Sequence, residues 1–290
     1  MNGTRIIVGF DGSGEAHAAV QWAADEAERT HAQLQIVHTY QITWPGAYYD
    51  ISAELLEEAR RRGEQLIDEA VAQVRERGPE IDVIGTSVYA TPAATLLDLA
   101  DTTTIPDTTT GLLVVGNRGA GGISNLLLGS VSQQVATHAN TPVVVVRGRW
   151  TATGGPVVVG VDGSASSNTA LSLAFAAADT RGTEVVAIRA YQPPPQHVVP
   201  LHAAETIERD ALEASLAPWR QQYPGVKVEA LVAVGRPAQV LIGVSHTARL
   251  VVVGSRGHGG FTGLLLGSVG QQLMHHAECP VMIAHPPKPA

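Results

Sequence analysis

The sequence predicts an α/β protein made of two tandem doubly wound domains, each a five-stranded parallel sheet with four helices. Short β-branched runs alternate with longer segments of helical spacing, the pattern of βαβ units that feed a parallel sheet. The pattern runs twice. Arg5-Ile-Ile-Val-Gly-Phe-Asp-Gly-Ser13 returns as Val157-Val-Val-Gly-Val-Asp-Gly-Ser164, and Thr141-Pro-Val-Val-Val-Val146 returns as Cys279-Pro-Val-Met-Ile-Ala284. A glycine-rich stretch, residues 116–134, returns at 254–272 with 13 of its 19 positions identical.

In the first repeat, strands are expected near 5–10, 34–39, 81–88, 112–116 and 143–147, where the β-branched runs fall. Helices are expected near 15–30, 51–77, 92–101 and 130–139, where the spacing turns helical. The second repeat places strands near 156–161, 184–189, 226–233, 249–254 and 281–284, and helices near 165–180, 200–222, 236–246 and 268–277. The helices near 51–77 and 203–222 carry acids and bases at i, i+4 spacings, Glu54, Glu58 and Arg62 among them, as a solvated face does. Domain 1 is therefore assigned to 1–148, a Gly- and Thr-rich linker to 149–155, and domain 2 to 156–290. Asp11 and Asp162 lie 151 positions apart and the glycine loops 138 apart, so the first repeat carries 13 extra residues; the Thr-rich stretch 102–110 supplies part of them as a surface insertion.

A chain of 290 residues, 44% hydrophobic and 16% charged, gives each half enough apolar residues for its own core, and only 4% aromatics make that core aliphatic. A formal net charge of -8 argues against a nucleic-acid surface, which needs clustered Lys and Arg. The single cysteine, Cys279, cannot form an internal disulfide, the N-terminus has no secretory pattern, and no apolar run approaches the ~20 residues that span a bilayer. A cytoplasmic protein without membrane partners is expected.

The glycine loops carry the chemistry. Each follows an apolar strand run, Leu112–Val115 or Leu250–Val253, and leads into a helix opening Ser-Val-x-Gln-Gln. In a doubly wound sheet, ligands sit beyond the carboxyl ends of the strands, where the Asp-Gly-Ser turns and these loops both lie. Gly116, Gly119, Gly121, Gly122 and Gly129 let backbone N–H groups approach an anion, as do Gly254, Gly257 and Gly267. The helix openings, Ser130-Val131-Ser132 and Ser268-Val269-Gly270, offer unsatisfied N–H donors and a positive dipole end. Ser130 with Gln133, and Ser268 with Gln271, have the spacing of a capping box, in which the serine hydroxyl caps the helix or bonds a phosphate instead. No P-loop lysine is present, so this is not a Walker site. Asp11, Gly12 and Ser13, with Asp162, Gly163 and Ser164, are the partner motif. The aspartates either shape the turn or N-cap of the first helix, or meet a ribose hydroxyl, an adenine edge or a bridging Mg²⁺. Arg118 and Arg256 are duplicated inside the loops, as loop anchors or as charge stabilisers.

These residues resemble the universal stress protein family. The resemblance rests on Gly-x-x-Gly, nine residues, Gly-Ser, found as Gly116/Gly119/Gly129-Ser130 and Gly254/Gly257/Gly267-Ser268, together with the first-strand Asp-Gly-Ser. It covers nearly the whole chain twice and looks like the tandem, two-domain form. It implies strand order 3-2-1-4-5 in each domain, one ATP per repeat with Mg²⁺ on its phosphates, and adenine lying against Thr39 and Ala190. It also implies pairing through the last strand of each repeat. Val143–Val146 and Val281–Ile283 would otherwise be exposed apolar edges, so we expect them to pair with each other, and chains to form homodimers.

The function expected is an ATP-binding regulator or sensor in stress or dormancy, acting on an unidentified protein partner. A slow ATPase or phosphotransferase is the enzymatic alternative, although the loops offer no recognisable base. A scaffold with structural glycine loops is a third reading. An ATP-pyrophosphatase relative would need a Ser-Gly-Gly-x-Asp-Ser loop, which is absent. His275, His276 and Cys279 have a spacing open to metal ligation, but they also sit where histidines favour a helix C-terminus. Ser132 against Gly270 and Ala120 against His258 make the two loops unequal, so their affinities are expected to differ.

Overall fold

The computed structural model describes residues 4–41, 53–78, 80–101, 109–120, 128–193, 201–257 and 265–286. The chain packs as two compact units, Met1–Thr141 and Pro142–Ala290. In the first unit the order is β1 (Thr4–Gly9), α1 (Gly14–Thr30), β2 (Gln33–Tyr40), α2 (Ala53–Arg77), β3 (Val83–Tyr89), α3 (Pro92–Ala100), β4 (Thr109–Gly116) and α4 (Ser130–His138). The second unit holds β5 (Val143–Val146), β6 (Val157–Gly160), α5 (Ala165–Arg181), β7 (Val185–Tyr191), α6 (Leu201–Gln222), β8 (Val228–Val234), α7 (Pro237–Ser245), β9 (Leu250–Gly254), α8 (Ser268–His276) and β10 (Val281–Ala284). Every strand and helix read from the sequence is present. The linker and the Thr-rich insertion were expected as irregular chain; of the insertion, 102–108 lie outside the described residues and Thr109-Thr110 open β4.

In the first unit the strands run β3-β2-β1-β4, all parallel, with Ile7 opposite both Gln35 and Leu113. In the second, β10-β9-β6-β7-β8 are parallel, which is the 3-2-1-4-5 order of the second repeat. β5 completes that sheet on its other side. It runs antiparallel to β10, with Val281 opposite Val145 and Ile283 opposite Val143. The expected pairing of the two last strands is this ladder. All four valines of β5 are buried, which explains why the packing division falls at Thr141/Pro142, ahead of the repeat boundary drawn at 148.

Central strands buried on both faces read as unbroken apolar runs rather than alternation. Ile6, Ile7 and Val8 in β1 and Val157, Val158 and Val159 in β6 are the cases in point. Alanines let α1 lie close to the sheet: Ala19, Ala23, Ala24 and Ala27 are almost wholly buried. Ser13 N-caps this helix by accepting from Ala16 N at 3.1 Å, and Ser164 caps α5 through Ser167 N at 3.2 Å. Both helices end in a left-handed residue whose N–H bonds back to the last turn: His31 at φ 51° and Gly182 at φ 59°. On the exposed face of α2, Glu58 pairs with Arg61, and Arg60 pairs with Glu57 and Glu64. The i, i+4 expectation thus holds for Arg60 and Glu64, while Glu58 takes its partner one residue nearer than Arg62. Among the described residues no helix is long and apolar enough to cross a membrane, and no group of three or more His, Cys, Asp or Glu side chains could hold a metal ion.

Candidate functional site

Because β1 and β4 are hydrogen-bonded neighbours, the turn after one and the loop after the other meet at the carboxyl edge of the first unit. Gly12, at φ 80°, turns the chain from β1 into α1 in a conformation that L side chains resist, and Gly163 repeats it at φ 87°. Asp11 then ties turn to loop. Its Oδ1 accepts from Ser13 N at 3.0 Å and Ser13 Oγ at 2.6 Å, and its Oδ2 accepts from Ala120 N at 2.7 Å. Asp11 is therefore not the N-cap of α1. Ser13 is, and its hydroxyl is engaged on both sides.

The glycines are required by close approach. A Cβ on Gly116 would lie 2.7 Å from Glu15 O, and one on Gly254 would lie 2.7 Å from Ser166 Cβ and 2.8 Å from Ser166 C. A Cβ on Gly119 would meet Asp11 Oδ2 at 2.3 Å; the same atom on Gly257 would meet Asp162 Oδ2 at 2.4 Å. These contacts hold strand end, turn and loop together in both repeats.

The start of α4 departs from the capping box. The N-cap is Gly129, with φ -80° and ψ 153°, and Ser130 is the first helical residue. Gly267 and Ser268 repeat this arrangement at α8. A glycine N-cap brings no side-chain acceptor to the N–H groups of Ser130, Val131 and Ser132, or of Ser268, Val269 and Gly270. The donor-rich, positive end of each helix is left for an anion. Gly129 N and Gly267 N donate to Asn117 O and Ser255 O at 2.7 and 2.8 Å, fixing the loop return. Ser132 is buried, and its Oγ donates to Gly116 O at 2.6 Å, so that hydroxyl braces the loop.

These elements surround a cleft of about 470 Å³ in the first unit, within the range of small-ligand pockets. Asp11, Thr39, Gly116, Arg118, Gly119, Gly129, Ser130, Val131 and Ser132 line it. Gly12 and Ser13 shape its rim without facing it. Its apolar wall comes from Phe10, Val37, Pro92, Leu96 and Leu128, which the sequence reading did not single out as site residues. Leu128 is buried and forms part of this wall. Arg118 Nη2 lies 2.8 Å from Glu15 Oε1, so the guanidinium anchors the loop to α1. Gly121, Gly122 and His258 lie outside the described residues.

In the second repeat Gly163 repeats the turn after Asp162, Gly254 and Gly257 approach Ser166 and Asp162 as Gly116 and Gly119 approach Glu15 and Asp11, and Gly267 opens Ser268-Val269-Gly270, whereas Arg256 has no counterpart of the Arg118–Glu15 pair among the described residues and Gly270 none of the Ser132 bond. Asp162 Oδ1 accepts from Ser164 N at 2.9 Å, and Ser164 Oγ is 3.4 Å from Arg256 O. Ala190, paired with Ala233 near the end of β7, stands where Thr39 does in β2. Cys279 is fully buried, and burial pushes its thiol up to about 12.

The comparisons with known proteins agree with this architecture. The model of the universal stress protein family matches residues 3–147 and 155–285. A universal stress protein of Mycolicibacterium smegmatis is 37% identical over 292 residues, covering 97% of each chain. One from Mycobacterium tuberculosis is 34% identical over 292 residues, covering 96% of each. In fold, the chain is similar to the crystal structure of a universal stress protein from Archaeoglobus fulgidus, with TM-score 0.71, 18% identity, and 98% and 97% of the two chains covered. With both repeats matched and relatives of this identity aligned end to end, the chain belongs to the universal stress protein family as a tandem, two-domain member.

Proposed function

We propose that the protein binds ATP, one molecule in each repeat, and works as a nucleotide-dependent regulator in a stress or dormancy response. The observation that carries the reading is the glycine-capped helix start facing the cleft. N–H donors and the dipole of α4 face the cleft beside Gly116, Gly119 and Gly129, next to Thr39 and an apolar wall of Val37, Pro92 and Leu96 suited to a planar base. The residues present fit the nucleotide: Ser130, Val131 and Ser132 N–H and the Ser130 hydroxyl would hold phosphate oxygens, and the wall would take adenine. Asp11 has both carboxylate oxygens engaged. A Mg²⁺ would therefore be held by the phosphates rather than by Asp11. ATP occupancy would fix the loop and so present a different surface to a protein partner, in a cytoplasmic homodimer.

The test is to purify the chain without added nucleotide, denature it, and identify and count what is released. Up to about two ATP per chain supports the reading. Gly116→Val, which drives a side chain into the Glu15 main chain, should then halve the count. A protein that is empty and fails to take up added ATP refutes it.

A further inference from the structure

At their described residues the two cradles correspond in backbone and differ in charge. In the first, Glu15 lies in the opening turn of α1, directly under Gly116, and its carboxylate is paired with Arg118 at 2.8 Å. In the second, the residue under Gly254 is Ser166, which meets the glycine through the same main-chain contact but brings no charge. Arg256 makes no ion pair among the described residues and is exposed, whereas Arg118 is half-buried with its Nε shut off from water. The first turn and helix start thus carry two carboxylates, Asp11 and Glu15, with Glu15 paired to the guanidinium, and the second carry one carboxylate, Asp162. Ser132 adds a brace to the first loop that Gly270 cannot supply.

We infer that the two repeats select nucleotides by phosphate charge. The second favours polyphosphates the more strongly, because the positive charge of Arg256, exposed and in no ion pair among the described residues, is not offset by a carboxylate at position 166. The first favours a triphosphate over a monophosphate less strongly, because Glu15 occupies Arg118 and adds a negative charge beside the phosphate cradle. Glu15 is then a positioning residue that sets specificity without touching the ligand. This rests on the reading of both cradles as nucleotide sites. Since a triphosphate carries several more charges than a monophosphate, one net charge beside it separates the two ligands by about tenfold at low salt, and by less as salt screens it.

The experiment is calorimetric titration of the full chain with ATP and, separately, AMP. Gly254→Val leaves the first site alone in the titration, and Gly116→Val leaves the second. The ATP-to-AMP affinity ratio should be about tenfold higher at the second site. Glu15→Ser should raise it at the first site, and Ser166→Glu should lower it at the second, each by changing ATP affinity by a larger factor than AMP affinity. Glu15→Gln, which keeps the shape, should act as Glu15→Ser does, and the difference should shrink in high salt. Equal ratios at the two sites, or Glu15 variants that move ATP and AMP together, overturn the inference while leaving nucleotide binding intact. Binding of neither nucleotide to either site overturns the functional reading beneath it.

Discussion

Replacing Gly119 by alanine tests whether the Asp11 link organises the cradle. The new methyl would sit 2.3 Å from Asp11 Oδ2, more than 1 Å inside an ordinary contact of about 3.5 Å. The carboxylate is held through Oδ1 by Ser13, so it must rotate away and give up Ala120 N, now at 2.7 Å. A hydrogen bond to a charged group is worth about 1.5–3 kcal/mol, and exposure of Asp11 reduces this to roughly 1 kcal/mol. That ordering must then be supplied when ligand binds, so Kd for ATP at the first site should rise about fivefold. Calorimetry in the Gly254→Val background reads it. Adding Gly119→Ala to Asp11→Ala should have no further effect, since the clash and the bond both involve the missing carboxylate. First-site affinity within twofold of the parent, or a full Gly119→Ala effect without Asp11, would refute the reasoning.

Three further outcomes follow from the frame. His31 closes α1 in the left-handed region at φ 51°, where Gly182 closes α5. His31→Gly should stabilise the chain by about 0.5–1 kcal/mol and Gly182→His should destabilise it similarly, seen as melting shifts of about 2–4 °C in opposite directions. Shifts of equal sign would contradict this. Cys279, fully buried with its thiol pushed up to about 12, should resist alkylation at neutral pH until the chain unfolds, and rapid labelling of native protein would show the burial to be wrong. Burial first, then His276 and Arg147, hold the His275 pKa below its ordinary value. The folded state thus favours neutral His275, its stabilising contribution is full above about pH 6.5, and it is lost as pH falls toward the lowered folded value. His275→Gln should flatten that part of the melting profile; an unchanged slope counts against the assignment.

The frame was legible because its signals are local. Unbroken valine and isoleucine runs mark strands buried on both faces, and Ser13 and Ser164 mark helix starts within three residues. The candidate site was drawn from the duplicated glycine loops and Asp-Gly-Ser turns, with Thr39 and Ala190 added by resemblance. The capping box misplaced the N-cap by one residue because Ser130 and Gln133 have the right spacing, while the loop return through Asn117 O fixes Gly129 in the extended conformation instead. The Glu15–Arg118 pair joins residues 103 apart and leaves no pattern in the chain. Phe10, Val37, Pro92 and Leu96 look like core residues in sequence; only the fold shows that the cleft opens beside them.

The distribution of differences between the repeats follows from what each position touches. Gly116 and Gly254 press against the main chain and Cβ of residues 15 and 166, which any residue but glycine presents, so glutamate and serine can exchange without moving those contacts. Gly119 and Gly257 press against carboxylates that hold their own turns, and both partners stay the same. Position 132 is serine where its hydroxyl reaches Gly116 O. Its counterpart is glycine where Ile283 and Leu266 lie 3.3 Å from the place a Cβ would take. Geometry in this fold is therefore set by glycine against backbone, whereas charge is set by side chains one contact away. Duplication of such a cradle can keep its shape twice over and still give two electrostatic environments.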